Sequence, residues 1–470
     1  MDDVTQNRPR SRGMIRIQMY TSIFVASLLM IIRGSVIVWS SPMLHILKNE
    51  AESPLGRKIT EDEASWLTSI MTIGEIVGSL TIGTASQMFG RKTLLTIICI
   101  PPLFFYVTLT FAKNIWWYFV ARAVAGIGIG AVITLLPMYI CELADPKIRG
   151  RLCVSMGIFK NIGTLLTYCT GPYIPFFWYH LGYSFLPLSF LILIFFFALE
   201  SPYYIMKTDP KRAEESLREI RGKEDVSEEM KEMKRRLEKT SEGSFIEVFT
   251  TTGAKRALAI GLGLTCLSQL SGHKVVMSYS QEIFDDIGGS LTGDVENIIL
   301  GSVEMVAKIF ASGLTDKFRR KPQFMVSYFG AAFCHLTLGL FVVLKNNGAD
   351  TTNFKWVPLF SLSCYFIVYD LGIGMLTQTL LGEIFPVRVK SVAISICDVN
   401  GNVVGFLTTL LFKRVQNAIG MGYTFWIFGA VALVALVFIK FVLKETSGKS
   451  LEQVQEELDE KNPNRTDLSI

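Results

Sequence analysis

Roughly twelve stretches of about 20 mostly apolar residues recur along this chain, and each is long enough to cross a bilayer as a helix. A bilayer core offers no water to backbone polar groups, so a spanning segment of this kind must form an α-helix. The sequence therefore predicts an all-α integral membrane protein with twelve transmembrane helices. The spans begin near Ile17, Trp66, Leu94, Trp116, Gly150, Gly182, Arg256, Asn297, Phe324, Trp356, Ser391 and Met421.

The distribution of charge predicts how the chain is oriented. Only 19% of the residues are charged, against about 25% in soluble domains. Lysine and arginine concentrate in alternate short loops, which predicts that both termini lie on the cytoplasmic side of the plasma membrane. These loops account for the net charge of +5, so a bilayer is the predicted partner and a nucleic acid is not. The sequence carries no nucleotide-binding loop and no metal-ligand cluster, so we predict neither an enzyme nor a cofactor, with no catalytic or metal-binding residues.

A charged segment separates the spans into two sets of six. Within it, Asp209 and Pro210 are a predicted N-cap and first helical residue. The predicted organisation is a cytoplasmic tail (1–16), a six-helix bundle (17–206), a helical cytoplasmic linker (207–254), a second six-helix bundle (255–444) and a cytoplasmic tail (445–470).

Charged residues recur at matching places in the two halves. The loop Gly90-Arg91-Lys92 follows span two, and the loop from Asp316 to Lys321 follows span eight. Topology alone explains the basic residues but not the carboxylates that recur with them. We predict a charge network that holds the cytoplasmic side closed. Its predicted members are Gly90, Arg91, Lys92, Glu142, Arg149, Glu200, Asp316, Arg320, Lys321, Glu383, Arg388 and Glu445.

Several short motifs, taken in order, resemble those of the sugar porter branch of the major facilitator superfamily. They are Phe89-Gly90-Arg91-Lys92, Pro137-x-Tyr139-x-x-Glu142, Glu200-Ser201-Pro202, Gln269-Leu270-Ser271-Gly272 and Glu445-Thr446. The loop that begins at Ile59 is similar to that of insect facilitated trehalose transporters. The resemblance implies two six-helix bundles that rock about a central sugar site, with span seven unwinding at Ser271-Gly272.

The chain departs from this family at the site. Where the family carries asparagines in spans seven and eight, this chain has Lys274 and Glu304, and Gly157 replaces a glutamine. We expect Lys274 and Glu304 to pair, because charges within a bilayer are usually paired or functional. Two interpretations stay open: a neutralising pair that fills the old site, or a site suited to a zwitterionic solute, an acidic solute or a proton.

The remaining site predictions concern polar residues deep in the spans. Arg33 and Glu75 both lie about 14 Å from the outer face at 1.5 Å per residue, which predicts an intramembrane ion pair. Lys160 is a third deep cation for which the sequence shows no partner. The residues predicted to bind the solute are Gln269, Lys274, Glu304, Asn161, Thr377, Gln378 and Asn402.

The resemblance also implies an activity. Proton-coupled family members carry an acid where this chain has Ser35, which favours facilitated movement of a sugar such as trehalose or a hexose. In the loop after span two, Gln87 stands where the family has an acid. This difference predicts that the charge network is weaker in the N-terminal half. The alternatives are a transporter-like sugar receptor, a non-transporting paralogue, or a carrier of a charged small solute.

Overall fold

Helices make up all the regular secondary structure in the described part of the chain, as the bilayer requires. The computed structural model describes residues 12–145, 148–222, 225–239, 249, 252–314, 318–386, 389–447, 449 and 453–454. Within these residues, ten helical segments are long and apolar enough to cross a membrane. The other two predicted spans are also helical, but one is interrupted and the other carries several charges.

The first half contains spans one to six. Span one consists of two helices that meet at Trp39, and span three of two that meet near Ile98. The helices are α1 (Arg12–Val38), α2 (Ser40–Lys48), α3 (Glu61–Met88), α4 (Arg91–Ile97), α5 (Ile100–Phe111), α6 (Ile115–Leu143), α7 (Arg149–Thr170) and α8 (Phe176–Phe197).

Three short helices, α9 (Pro202–Thr208), α10 (Pro210–Arg221) and α11 (Ser227–Lys239), follow the first half. The predicted N-cap is confirmed, because the Asp209 carboxylate accepts hydrogen bonds from the backbone N–H groups of Lys211 and Arg212. Arg221 at the end of α10 donates to the carbonyl oxygen of Leu143 at 2.6 Å. This contact ties the linker to the end of α6.

The second half contains spans seven to twelve. Span seven comprises α12 and α13, and span ten comprises α16, a π-helical turn (Asp370–Gly374) and α17. The helices are α12 (Thr252–Leu270), α13 (His273–Ile287), α14 (Gly293–Leu314), α15 (Arg320–Asn346), α16 (Val357–Tyr369), α17 (Met375–Ile384), α18 (Lys390–Ile419) and α19 (Met421–Val442).

The predicted break in span seven is confirmed. Gly272 has a φ of 85°, a left-handed conformation that glycine adopts without steric cost. The carbonyl oxygen of Ser271, freed from the helix, accepts hydrogen bonds from the Tyr365 hydroxyl at 3.1 Å and from His335 Nε2 at 3.0 Å. The carbonyl group freed at the break therefore keeps hydrogen-bond partners inside the bundle.

Gly272→Ala is expected to lower the free energy of unfolding by about 2–3 kcal/mol. The left-handed backbone costs a residue with a Cβ about 1–2 kcal/mol, and this Cβ would lie 2.8 Å from a ring carbon of Phe428, which adds overpacking of at least about 1 kcal/mol. Chemical denaturation in detergent measures the change. Gly222→Ala is the matched control, because Gly222 has a φ of 62° but open space around it. An equal loss in both variants would show that the Phe428 contact is unimportant.

The two ends of the bundle differ in charge. The basic face is the end that carries Arg91, Lys92, Arg320 and Lys321, together with helices α9–α11. The acidic face is the opposite end, where α3 begins with Glu61-Asp62-Glu63.

The halves meet tightly at the acidic face, where α2 of the first half packs against α13 of the second. The hydroxyl oxygens of Ser41 and Ser280 lie 2.9 Å apart. Ser40 donates to the carbonyl oxygen of Ser278 at 3.2 Å, and Asn297 donates to Ser41 at 3.0 Å. All these side chains are buried. We call these five residues the acidic-face seal.

Ion pairs surround the acidic-face seal and also join the halves. Lys48 of the first half pairs with Glu282 of the second, which Lys413 also contacts at 2.7 Å. Arg414 of the second half lies 2.9 Å from Asp62 of the first. The protein is therefore closed at its acidic face.

Candidate substrate site

One group of charged side chains joins α1 and α3 of the first half to α13 and α18 of the second. Lys274 Nζ lies 3.0 Å from Glu75 Oε2 and donates to Asn402 Oδ1 at 3.1 Å. On its other side, Glu75 Oε1 lies 3.9 Å from Arg33 Nη1. We call Arg33, Glu75, Lys274 and Asn402 the Glu75 cluster. The predicted neighbours Arg33 and Glu75 thus share their surroundings with a lysine from the other half.

Glycines position the Glu75 cluster. Gly130 on α6 faces the backbone of Glu75 so closely that a Cβ there would overlap the Glu75 carbonyl oxygen. Small residues permit such close approach of membrane helices. In the second half, Lys274 is the second residue of α13, so the break at Gly272 determines where its side chain points.

A second group of charges joins α7 of the first half to α14 and the π-helical turn of the second. Glu304 Oε1 lies 3.2 Å from Lys160 Nζ and 2.6 Å from Lys308 Nζ. Lys308 also lies 3.7 Å from Asp370 Oδ1 and donates to Asn161 Oδ1 at 3.1 Å. We call Lys160, Asn161, Glu304, Lys308 and Asp370 the Glu304 cluster. It supplies the partner for Lys160 that the sequence did not show.

The expectation that Lys274 pairs with Glu304 is wrong. Lys274 reaches Glu75 and Asn402, while Glu304 faces Lys160 and Lys308. The physical reason is that α13 restarts after Gly272 and directs Lys274 towards α3 and α18, whereas Glu304 lies on the α7 side of α14. Lys308 was missed, although it follows Glu304 by one helical turn, a spacing at which opposite charges on a helix meet.

The structure brings three of the predicted hydrogen-bonding residues to these clusters. Asn402 and Asn161 each accept a hydrogen bond from a lysine, as described above. Gln269 lies beside Lys274, because a Cβ at Gly405 would be 2.9 Å from Gln269 Oε1 and 3.1 Å from Lys274 Cδ. Gly405 therefore leaves the space in which both side chains lie. Within the described residues, the buried Nδ2 atom of Asn161 has no hydrogen-bond partner, so it remains a free donor.

Two other predicted residues, both on α17, form contacts away from the clusters. The Thr377 hydroxyl donates to the carbonyl oxygen of Ile373 on its own helix at 2.6 Å. Gln378 is exposed and donates to Asp398 Oδ1 at 2.8 Å. In this conformation, these two hydrogen bonds connect Thr377 and Gln378 to residues outside the Glu75 cluster and the Glu304 cluster.

The predicted charge network of the first half assembles at the basic face. Arg91 Nε lies 2.9 Å from Glu142 Oε2, and Arg91 Nη2 lies 2.9 Å from Glu142 Oε1. The Glu200 carboxylate accepts from the backbone N–H groups of Arg91 at 2.7 Å and Lys92 at 3.2 Å. A Cβ at Gly90 would overlap this carboxylate, which explains the glycine.

The second half repeats this arrangement. The Glu445 carboxylate accepts from the backbone N–H groups of Arg320 at 2.9 Å and Lys321 at 3.1 Å. Glu383 accepts from Arg320 Nη2 at 3.3 Å and from the Thr446 hydroxyl at 2.5 Å. These contacts, like those of the first half, tie helices together within one half.

Among the described residues, the predicted network member Arg149 forms a different contact. Arg149 Nη2 lies 3.5 Å from the carbonyl oxygen of Ala144, and Asp316 and Arg388 lie outside the described residues. Among the described pairs the contacts are closer in the first half, but the predicted weakness of the N-terminal network stays a prediction, because Asp316 and Arg388 of the second half lie outside the described residues. Arg91 holds Glu142 through two bonds, whereas Arg320 and Glu383 are 3.3 Å apart and the Glu383 side chain is 30% exposed.

Comparison with known proteins identifies the class. The family model described as "Sugar (and other) transporter" matches residues 22–458. The chain belongs to this family of sugar transporters. It is therefore a membrane transporter and not an enzyme.

Relatives of the transporter cover nearly its whole length. The facilitated trehalose transporter Tret1 of Polypedilum vanderplanki is 32% identical over 94% of this chain and 89% of its own length. The Tret1 protein of Culex quinquefasciatus is 30% identical over 90% of this chain and 84% of its own length.

The fold matches that of a solved transporter. The inward open conformation of the xylose transporter XylE from E. coli superposes with a TM-score of 0.77, over 93% of this chain and 99% of that chain, at 24% identity. Its partially occluded inward open conformation gives 0.75 over 92% and 100%, at 25% identity. The predicted all-helical major facilitator fold is confirmed.

Glu142→Gln is expected to destabilise the transporter more than Glu383→Gln. Loss of a hydrogen-bonding partner by the buried Arg91 guanidinium costs about 1.5–3 kcal/mol. The pair of Glu383 with Arg320 is more exposed and should contribute about 0–1 kcal/mol to the free energy of unfolding. Chemical denaturation of the two purified variants gives the comparison. Equal losses, or a larger loss for Glu383→Gln, would contradict the observed asymmetry.

Proposed function

We propose that the transporter is a facilitative carrier of a sugar, such as trehalose or a hexose, that rocks one half against the other. The main support is that both charged clusters draw members from both halves beneath a closed acidic face. Separation of the halves at that face would break the Lys274–Glu75 and Lys160–Glu304 contacts and admit solute from that side. The relatives named facilitated trehalose transporters support the same substrate class.

The proposed substrate-binding residues are those that the fold gathers at the clusters: Gln269, Asn402 and Asn161, with Lys274 and Glu304. Amide groups suit a polyol because each supplies both donors and an acceptor. Thr377 and Gln378 remain predictions, because in this conformation both form hydrogen bonds elsewhere. Arg33 and Glu75 complete the first cluster.

The geometry around Ser35 supports passive movement. Its hydroxyl donates to the carbonyl oxygen of Ile32 at 2.8 Å and accepts from the Tyr106 hydroxyl at 2.8 Å. A serine at this position does not titrate at physiological pH and cannot exchange a proton as an acid would. We therefore propose uniport.

We propose that the transporter resides in the plasma membrane with its basic face in the cytoplasm. The positive-inside tendency supports this orientation, because helices α9–α11 and both duplicated basic loops lie at that face. Both termini are then cytoplasmic. The proposed partners are a small-molecule solute and the lipid bilayer.

Uptake by purified transporter in proteoliposomes tests the proposal. Labelled trehalose and glucose are supplied outside, together with a panel of charged solutes in separate assays. We expect saturable uptake that stops at equal internal and external concentrations, and an imposed pH gradient should not drive accumulation beyond that point. Protein-free liposomes are the control. Folded transporter without saturable uptake of any solute would contradict the carrier function, and a dose-dependent conformational signal under the same conditions would favour a receptor.

A further inference from the structure

The Glu75 cluster contains more positive than negative charge. Arg33 and Lys274 are its cations, and Glu75 is its single carboxylate, so its formal charge is +1. The Glu304 cluster differs, because two lysines face two carboxylates there. An uncompensated charge within a bilayer is costly and marks a functional site. The Glu75 cluster can therefore accept one further negative charge before its formal charge falls to zero.

The accessible end of the Glu75 cluster is its lysine. The Lys274 side chain is 28% exposed, whereas that of Glu75 is 7% exposed and that of Arg33 is 14% exposed. A solute that enters between the halves would thus meet the Lys274 ammonium before the Glu75 carboxylate. Lysine and arginine groups bind carboxylates through short charge-assisted hydrogen bonds.

Separation of the halves would increase the need for an anion at Lys274. Arg33 and Glu75 both belong to the first half, so they would stay together. Lys274 belongs to the second half and would keep Asn402 while losing its contact with Glu75. In the Glu304 cluster, Lys160 would likewise lose its contact with Glu304, but Lys308 would keep both Glu304 and Asp370, because all three lie in the second half.

Neutral polar groups lie next to Lys274. Asn402 contacts its ammonium group, and Gln269 lies beside its side chain on the face of α12 that meets Gly405. Amides of this kind bind hydroxyl groups, whereas the lysine binds an anion. The arrangement fits a solute that carries several hydroxyls and one negative charge.

We propose that the preferred solute is a sugar acid, whose carboxylate replaces Glu75 as the partner of Lys274 while its hydroxyls bind Gln269 and Asn402. This inference rests on the proposed carrier function and specifies its substrate class. The carboxylate of the solute would pair with Lys274 when the halves separate. Glu75 would pair with Lys274 when the halves close without solute.

Uptake of labelled D-glucuronate, glucose and trehalose by the same proteoliposomes tests the inference. We expect a kcat/KM for glucuronate at least about tenfold above that for glucose, which corresponds to about 1.4 kcal/mol. An inside-positive membrane potential should accelerate glucuronate uptake and leave glucose uptake unchanged. In Lys274→Asn the preference should reverse, and Lys274→Arg should keep it, because arginine retains the charge.

Lys113→Asn is the matched control, because it removes the same charge from an exposed loop position and should change neither uptake rate. Thermal unfolding of each variant checks that it is folded. Saturable glucose or trehalose uptake without glucuronate uptake would overturn the sugar-acid inference and leave the carrier function intact. Absence of uptake for all three solutes would overturn the carrier function itself.

Discussion

Glu304→Gln will lower the transporter's free energy of unfolding by about 3–5 kcal/mol, the usual cost of removing one partner of a buried ion pair. The Glu304 side chain is only 2% exposed and contacts both Lys160 and Lys308. Glutamine has nearly the same shape, so packing is preserved while the charge is lost. Two lysines would then face Asp370 as the remaining carboxylate of the cluster.

A second substitution should restore part of this loss. In Lys160→Met/Glu304→Gln, one cation and one carboxylate are removed together, and Lys308 and Asp370 remain as a balanced pair. The double variant should therefore be more stable than Glu304→Gln alone. Asp370→Asn is the matched control, because its carboxylate is equally buried but lies 3.7 Å from Lys308, so a smaller loss is expected.

Urea or thermal unfolding in detergent measures all three variants under one set of conditions. A double variant that is no more stable than Glu304→Gln would show that the contact between Lys160 and Glu304 does not stabilise the fold. If Glu304→Gln lost less free energy of unfolding than Asp370→Asn, the short contact between Glu304 and Lys308 would not stabilise the fold.

The fold was largely predictable because the bilayer limits the options. Apolar length fixes the spans, and Ser271-Gly272 predicts the break because glycine adopts the left-handed conformation without cost. Asp209 and Pro210 likewise predict the start of α10 from local chemistry alone. Each of these features depends on neighbours in the chain.

The partners of the buried charges were less predictable. Lys274 and Glu304 were expected to pair because they replace two residues of one family site, yet the rotation of each helix and the length of each side chain direct them to different clusters. Lys308 was accessible to a search at helical spacing from Glu304. The pairing of Lys274 with Glu75 was not, because 199 positions separate them and only the packing of the two halves brings them together.

Arg122 illustrates the same limit. Its guanidinium is fully buried on α6. In the structure it donates to the carbonyl oxygens of Val36 at 2.7 Å and Leu67 at 3.1 Å, and lies 5.2 Å from the ring of Trp39. A sequence does not show which backbone carbonyl groups a buried cation can reach, so the partners of Arg122 become known only from the fold.

A disulfide between Ser41→Cys and Ser280→Cys is expected to abolish transport. The two hydroxyl oxygens lie 2.9 Å apart across the acidic-face seal, so cysteine sulfurs at these positions need only a small shift to reach the bond length of about 2.05 Å. The bond would hold the halves together where alternating access requires them to part. Uptake should fall to the level of protein-free liposomes after oxidation with copper phenanthroline, and return on reduction with dithiothreitol.

The native chain provides the matched control. The sulfurs of Cys141 and Cys153 lie 3.9 Å apart, and both belong to the first half. A disulfide between them would join α6 to α7 without linking the halves, so the oxidised wild type should keep its uptake. The single variants Ser41→Cys and Ser280→Cys should also keep their uptake.

Undiminished uptake by the cross-linked double variant would mean that solute passes without opening the acidic face, and the rocking mechanism would have to be abandoned. Loss of uptake confined to the double variant would show that the seal is the contact that each transport cycle must break.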